Sequence, residues 1–184
     1  MSDILKKIYS ESKIADRFYE GVTPCKLYRG LKKGSKIGLM TPTIIGFYKR
    51  NEPRPPDVLI LDEGNVSPQY TEFGELITES QAKPLTREIL DNADKYTVKG
   101  CRCTRGNHRG LSLFNGYNYK LPFEWYLIEE NTDIPEGLAI TRDAPHSNQG
   151  ITHYTVAPKD DMPLSLYLVQ LNALGKNALL IRNV

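Results

Sequence analysis

The chain of 184 residues has little cysteine, little net charge and no long apolar run. Three cysteines do not make a disulfide framework, and an odd number is typical of a reducing compartment. A formal net charge of +2 gives no strong overall field, so a polyanionic partner would need a local basic patch. No apolar run is long enough to cross a bilayer, which argues against a helical membrane protein.

Two further kinds of segment are missing. The N-terminal stretch MSDILKKIYSESK has acidic and polar residues where a signal peptide needs an apolar core, so no signal peptide is expected. Cys101 and Cys103 form a C-x-C pair with His108 nearby, but a second ligand pair at zinc-site spacing is lacking. We therefore predict ordinary thiols and no metal site.

The length suits one domain with a sizeable core and is too short for two. Many short strand patterns separated by turn residues, with helical patterns at the beginning and end, predict an α+β domain. We interpret residues 1–184 as a single domain with an N-terminal helical extension at 1–22.

Hydrophobic periodicity and turn chemistry place the individual elements. The predicted helices are 3–20, 83–96 with Pro84 in its first turn, and 162–177 with Gly175 near its end. The predicted strands are 25–30, 57–62, 110–115, 124–130, 137–143, 151–157 and 178–182. Residues 51–57, NEPRPPD, predict a rigid turn because each proline fixes φ and removes a donor. Residues 63–83 are interpreted as a loop or small hairpin, and 36–49 stay open between helix and strand.

Three polar residues lie inside strands where burial alone would favour apolar side chains: Arg29, Ser112 and His153. The arginine fork suits phosphate oxygens, and the imidazole can donate or accept a proton near neutral pH. Gly110 beside Ser112 would allow a ligand to approach the backbone closely. Each also has an ordinary reading: a solvated arginine, a cross-strand serine hydrogen bond, a structural histidine.

The segment from Thr132 to Ala157 reads TDIPEGLAITRDAPHSNQGITHYTVA, and MPLSLYLVQL follows it. This block resembles the C-terminal half of the NAD-dependent, ADP-ribosyltransferase-like toxins delivered by bacterial type VI secretion. LYRG, PRPPDVL and GLSLF resemble, in the same order, the family's first strand, its proline-rich turn and its serine strand. The resemblance runs from about Leu27 to the end, except for an extra segment at about 70–108, interpreted as a family-variable insertion.

The resemblance implies an ADP-ribosyltransferase-like split β-sheet core with flanking helices, in which two strand clusters hold NAD. It implies an antibacterial toxin that uses NAD as a substrate, a mono-ADP-ribosyltransferase of EC 2.4.2 type that modifies an intracellular macromolecule. The expected place of action is the cytoplasm of a target cell after type VI secretion. The expected partners are a cognate immunity protein in the cytoplasm of the producer, the secretion apparatus and a macromolecular acceptor, with DNA and RNA among the candidates; no membrane partner is expected.

Carried over residue by residue, the resemblance makes Arg29, Ser112 and His153 the catalytic candidates. It places Arg29 on the pyrophosphate, where a delocalised cation meets several oxygens. The residues it implies for binding NAD are Arg29, Ser112, Asp143, Gln149 and Tyr154. For Tyr154, stacking on nicotinamide and an ordinary place in the core are equally open.

The sequence departs from the superfamily at two points. No Q/E-x-E motif lies on a late strand, so the residue that replaces the usual catalytic glutamate is left open. Leu111 stands where the family has a threonine before its serine, which removes one polar contact.

A basic segment, KGCRCTRGNHRG at 99–110, supports a second interpretation. Arg102, Arg105 and Arg109 could contact a polyanion at the mouth of the cleft. A solvated surface loop is the alternative, because the aromatic stacking partners of single-strand binders are absent from this segment. The alternative function is therefore a non-catalytic toxin that binds nucleic acid or protein on the same scaffold.

Overall fold

The computed structural model describes residues 15–35, 37–50, 52–61, 75–101, 109–143 and 150–181. Its strands are β1 Ala15–Tyr19, β2 Leu27–Lys32, β3 Phe47–Lys49, β4 Glu52–Arg54, β5 Thr97–Val98, β6 Leu111–Phe114, β7 Phe123–Ile128, β8 Leu138–Asp143, β9 His153–Pro158, β10 Met162–Pro163 and β11 Leu179–Ile181. Seven of them form one sheet in the order β1-β8-β9-β6-β2-β7-β11. All neighbouring strands of this sheet are antiparallel.

Two helices accompany the sheet in the described residues: α1, Glu79–Asp91, and α2, Leu164–Gly175. A 3₁₀ turn at Ala93–Lys95 follows α1. The buried side of α2 consists of Leu164, Tyr167, Leu171 and Leu174. Tyr167 Oη donates to the carbonyl oxygen of Val156 at 2.9 Å, which anchors α2 to β9.

Strand register divides the sheet side chains between two faces, because cross-strand partners share a face and successive residues alternate. Leu111 pairs with Val156 and Leu113 with Tyr154, so these four lie on the face that α2 covers, called the helix face here. Ser112 pairs with Thr155, and Phe114 pairs with both His153 and Tyr28. These five residues lie on the opposite face, which is called the dyad face after the pair of Asp143 and His153 described below.

The middle of the sheet is joined sparingly. β2 and β6 share one registered pair, Tyr28 with Phe114, whereas β2 and β7 share six, from Leu27–Ile128 to Lys32–Phe123. The sheet is thus continuous, with its weakest seam at its centre. The large antiparallel sheet and the two helices make an α+β protein compatible with the ADP-ribosyltransferase-like expectation; the division into two strand clusters stays a prediction.

Most of the predicted elements are confirmed. Strands predicted at 25–30, 110–115, 124–130, 137–143, 151–157 and 178–182 correspond to β2, β6, β7, β8, β9 and β11, and the helix predicted at 162–177 corresponds to α2.

The helix predicted at 3–20 is wrong over its described part. Residues 15–19 form β1, which pairs with β8 at the sheet edge; residues 1–14 lie outside the described residues. Ile14 and Phe18 are spaced for a helix, but edge pairing supplies hydrogen bonds that such a weak local pattern cannot match. Residue Val22 likewise bridges to Asp133.

The helix predicted at 83–96 begins earlier and ends sooner. Thr78 caps α1, and Gln81 completes a reciprocal capping box, so Pro84 lies inside the helix and not in its first turn. The signal was present in the sequence as TESQ, the S/T-x-x-E/Q pattern of such a box.

The proline-rich region also differs from prediction. Residues 52–54 form β4, paired with β3, where a turn was predicted, and residues 36–49 contribute β3 alone. The described part of DVLILD, residues 57–61, is buried at Val58 and Ile60 and forms a bridge from Ile60 to Val98 where a strand was predicted. Two backbone hydrogen bonds flank this bridge, from Leu61 N–H to the Thr97 carbonyl at 2.9 Å and from Lys99 N–H to the Leu59 carbonyl at 2.8 Å. Asp57 fixes the start of the segment, because its N–H donates to the Thr43 carbonyl and its carboxylate accepts from the Thr43 N–H.

Candidate active site on the dyad face

His153 lies at the start of β9 with a carboxylate beside its ring. Its Nδ1 forms a short hydrogen bond with Oδ2 of Asp143, the last residue of β8. Asp143 is only 1% exposed, while the imidazole keeps 15% exposure. Within the described residues no partner is recorded for Nε2. This pair, called the dyad, is thus a buried carboxylate bonded to one nitrogen of the ring, and the part of the chain that the structure describes gives the other nitrogen no partner.

Two threonines complete the setting of Asp143. Thr155 Oγ1 donates to Oδ2 at 2.8 Å, and Thr141 Oγ1 donates to Oδ1 at 3.2 Å. Both threonines are buried. Three donors therefore converge on one buried carboxylate and fix its orientation.

An aromatic wall continues the dyad face across the sheet. The Phe114 ring meets His153 edge-on at a centroid distance of 5.2 Å, and meets Trp125 at 6.4 Å. Tyr117 packs 5.1 Å from Tyr28 and 6.1 Å from Trp125. These rings give flat apolar surfaces next to the imidazole, the kind of surface on which a planar heterocycle stacks.

Gly30 makes room for this wall. A Cβ at Gly30 would lie 3.0 Å from the Trp125 ring, and 3.3 Å from Phe123. The ring of Trp125 therefore sits over the backbone of β2, and Trp125 Nε1 donates to the Asn118 carbonyl at 3.2 Å. Gly30, the glycine of LYRG, thus leaves the space in which the Trp125 ring packs.

Ser112 is half-buried on β6 and shares the dyad face with Thr155 and Phe114. The preceding Gly110 does allow a close approach, but of the protein's own chain: a Cβ there would collide with the carbonyl oxygen of Val156. The glycine beside the serine is therefore explained by strand packing.

Arg29 alternates onto the helix face, opposite the side chains of Ser112 and His153. Its Nη1 donates to the Ser112 carbonyl at 3.0 Å, and its Nε donates to the Leu39 carbonyl at 3.3 Å. Burial lowers the pKa of its guanidinium, while the negative charge of Asp57 acts in the other direction. Arg29 thus lies on the other side of the sheet from Ser112 and His153, which share the dyad face.

The bond from Arg29 to Ser112 crosses the seam between β2 and β6. The guanidinium of Arg29, which bonds two main-chain carbonyls, thus cross-links β2 and β6. Its predicted role on a pyrophosphate stays a prediction.

A family model described as "Tse2 ADP-ribosyltransferase toxin" matches residues 27–179, most of the chain. The chain belongs to this family. A search of curated proteins found no significant match.

The Tse2 family match begins at the first residue of β2 and ends at the first residue of β11, so it contains the dyad, the aromatic wall and Arg29. The recognition of a type VI effector toxin family is thereby confirmed. ADP-ribosyltransferases as a class use NAD as co-substrate.

Within this family member, Tyr154 lies in the core. It is buried on the helix face, 6.4 Å from the Tyr19 ring, and accepts a weak hydrogen bond from Cys25 Sγ at 3.7 Å. Burial, with the Cys25 contact second, raises the pKa of its phenol. Register and burial favour the core interpretation of Tyr154 over stacking on a ligand at the dyad face.

Several predicted residues lie outside the described residues: Gln149, Arg102 and Arg105, together with Cys103 and His108. Arg109 is described, half-buried just before β6. The ranges that the structure describes contain no group of three or more His, Cys, Asp or Glu residues able to hold a metal ion. In the same ranges no helix is long and apolar enough to span a membrane.

Cavities border the regions described above. A hollow of about 340 Å³ lies along the 117–120 loop against Ile151, two residues before His153. A larger groove of about 470 Å³ lies between residues 37–47 and α1. The smaller hollow adjoins the dyad face through Tyr117, which belongs to both the hollow and the aromatic wall.

Sequence reasoning missed the partners of Asp143 and the aromatic wall. One signal was available for Thr155, which shares a strand face with His153 by simple alternation. Thr141, Tyr28, Tyr117 and Trp125 lie on other segments, and only sheet order brings them to the histidine.

Proposed function

We propose that this protein is an NAD-dependent antibacterial toxin that transfers ADP-ribose from NAD to a macromolecule inside a target cell. Membership of the Tse2 ADP-ribosyltransferase toxin family supports the reaction class. The single observation that carries the site is the Asp143–His153 pair beside an aromatic wall on the dyad face.

This arrangement suits cleavage of the bond between nicotinamide and ribose. The transition state resembles an oxocarbenium ion, so the site has to orient NAD and stabilise developing positive charge. The rings of Phe114 and Tyr117, packed on the buried Trp125, offer stacking surfaces for nicotinamide, and the carboxylate of Asp143 supplies negative charge behind the imidazole. Ser112 offers a hydroxyl on the same face for the nicotinamide ribose.

The biological setting belongs to the same proposal. The producer needs a cognate immunity protein, delivery passes through a type VI secretion apparatus, and the toxin acts in the cytoplasm of the recipient. The acceptor is a nucleic acid or a protein; the half-buried Arg109 beside β6 would contribute to a nucleic-acid contact.

Labelled NAD tests the function directly. Purified protein is incubated with NAD labelled in its adenylate and with bacterial lysate, and the protein and nucleic-acid fractions are counted separately. We expect label in one fraction and free nicotinamide in equal amount. His153→Ala should lower transfer by about 10²- to 10⁴-fold, the range for loss of a positioned acid–base group.

Arg54→Ala is the matched control, because Arg54 is an exposed strand residue on β4. It should leave transfer unchanged. Salt-sensitive binding to oligonucleotides with no release of nicotinamide would overturn the enzymatic proposal and favour the binding-only toxin.

A further inference from the structure

The dyad answers a question raised by the missing Q/E-x-E glutamate: which group takes the acceptor's proton. We infer that His153 is the general base of the transfer and that Asp143 is the positioning residue that fixes its tautomer. The inference rests on the proposed function and assigns the chemistry of its site.

The hydrogen bonds determine the tautomer. Asp143 Oδ2 already accepts from the Thr155 hydroxyl, and Oδ1 accepts from Thr141, so the carboxylate acts as an acceptor toward the ring as well. Nδ1 of His153 therefore carries the proton of this hydrogen bond, and in the neutral form of the imidazole it is the protonated nitrogen. Nε2 is left with its lone pair, which is the form that a general base requires.

Burial keeps this arrangement in place. Asp143 is 1% exposed and is held by threonines of two strands, so rotation of the carboxylate would leave buried donors unpaired. The Phe114 ring limits the imidazole from the neighbouring strand. A carboxylate so enclosed touches the imidazole and not a dinucleotide, which revises the expected contact of Asp143 with NAD.

The step balances as follows. The bond between ribose C1′ and the nicotinamide nitrogen breaks, and its electron pair neutralises the pyridinium ring. An oxygen or nitrogen lone pair of the acceptor forms the new bond to C1′, and the acceptor's proton moves to Nε2 of His153. The imidazolium then passes this proton to water. The acceptor is therefore a neutral group with an O–H or N–H, such as a hydroxyl or an amino group.

The first test reads the tautomer without any turnover. The chain has three histidines, so ¹⁵N-histidine-labelled protein is compared with His153→Gln to assign the ring signals of residue 153. We expect a protonated Nδ1 and an unprotonated Nε2. Asp143→Asn and the milder Thr155→Val should mix the tautomers. A ring protonated at Nε2 in the unmodified protein would overturn the assignment.

The second test measures turnover to decide whether His153 acts as the general base. Asp143→Asn should lower kcat by about 10²- to 10⁴-fold with little change in KM, since the effect of a wrong tautomer falls on the proton transfer. Thr155→Val, which keeps the shape of the side chain, should lower kcat less. Added imidazole should restore part of the turnover of His153→Gly and none of that of Asp143→Asn.

The outcomes separate the two proposals. Normal kcat in Asp143→Asn, with His153→Ala inactive, overturns the positioning role and leaves the proposed function standing. No imidazole rescue of folded His153→Gly, as judged by circular dichroism, overturns the base role. Absence of nicotinamide release by the unmodified protein overturns the proposed function and the base role, while the tautomer measurement still decides the role of Asp143.

Discussion

On the helix face of the sheet, Arg29 and Tyr167 bond their polar atoms to main-chain carbonyls. On the dyad face, His153 bonds Asp143 through one nitrogen, and its other nitrogen has no partner among the described residues. Both faces thus bury polar side chains, but the bonds on the first connect strands and helix to one another. The bonds on the second hold a reactive group in a fixed orientation. The role of a polar residue inside a strand is therefore best inferred from the donor and acceptor atoms that its hydrogen bonds do not use.

Removing packing from the helix face should have the largest effect. Leu164 is 0% exposed and Leu166, two residues along the same helix, is 44% exposed. We expect Leu164→Ala to lower the free energy of unfolding by about 2–5 kcal/mol, through lost burial and a residual cavity. Leu166→Ala should change it by less than about 1 kcal/mol in the same urea titration. Equal effects would show that α2 does not anchor this face.

Removing the Arg29 cross-link between β2 and β6 should have the second largest effect. Arg29→Met keeps a long apolar stem but leaves the Ser112 and Leu39 carbonyls without their donors. We expect a loss of about 2 kcal/mol in unfolding free energy, because unpaired buried carbonyls outweigh the relief of burying a cation. The control is Arg54→Met on the exposed β4. Full stability of Arg29→Met, with loss of NAD binding alone, would return Arg29 to a ligand role.

The tyrosine of α2 gives a smaller effect with a pH signature. Tyr167→Phe removes the hydrogen bond to Val156 and should cost about 1 kcal/mol at neutral pH. Burial, and secondly the Asp57 carboxylate, raises the pKa of the Tyr167 phenol. The folded state thus keeps this proton, so its contribution is fully present below the unfolded pKa of about 10 and is lost as pH rises above it.

Unfolding free energies measured from pH 8 upward check this sign. The unmodified protein should lose stability above about pH 10, and Tyr167→Phe should lose less over the same range. Tyr119→Phe, at a position 67% exposed, should follow the unmodified curve. An equal loss of stability above pH 10 in Tyr167→Phe and in the unmodified protein would contradict the assignment.

The smallest expected effect lies on the dyad face. Tyr117→Leu removes one ring of the aromatic wall, and we expect NAD binding to weaken about threefold while unfolding free energy changes little. Tyr126→Leu is the matched change on the helix face, since Tyr126 pairs with Arg29. Calorimetric titration with NAD should separate the two. Equal weakening by both would erase the distinction between the faces.

Several features followed from the sequence alone. Alternating apolar residues located β2, β6, β7, β8 and β9, because a strand with one buried face repeats every two residues. The same alternation put His153 and Thr155 on one face, and the THYTV block indicated the family that the match over 27–179 shows. The sequence was therefore sufficient to locate an element wherever the pattern of neighbouring residues determines it.

Long-range pairing decided the rest. The spacing of apolar residues near residues 15–19 predicts a helix, yet these residues form a strand. They pair with the edge of β8, which lies far along the chain and which no local pattern indicates. The partners of Asp143 come from β8 and β9, and the rings of the aromatic wall from β2, β6, β7 and the loop after β6. Composition and spacing identified a histidine, an arginine and a serine; the order of strands placed the first and last on one face and the arginine on the other. Which face a side chain takes depends on register, and register is set by contacts between segments far apart in the chain.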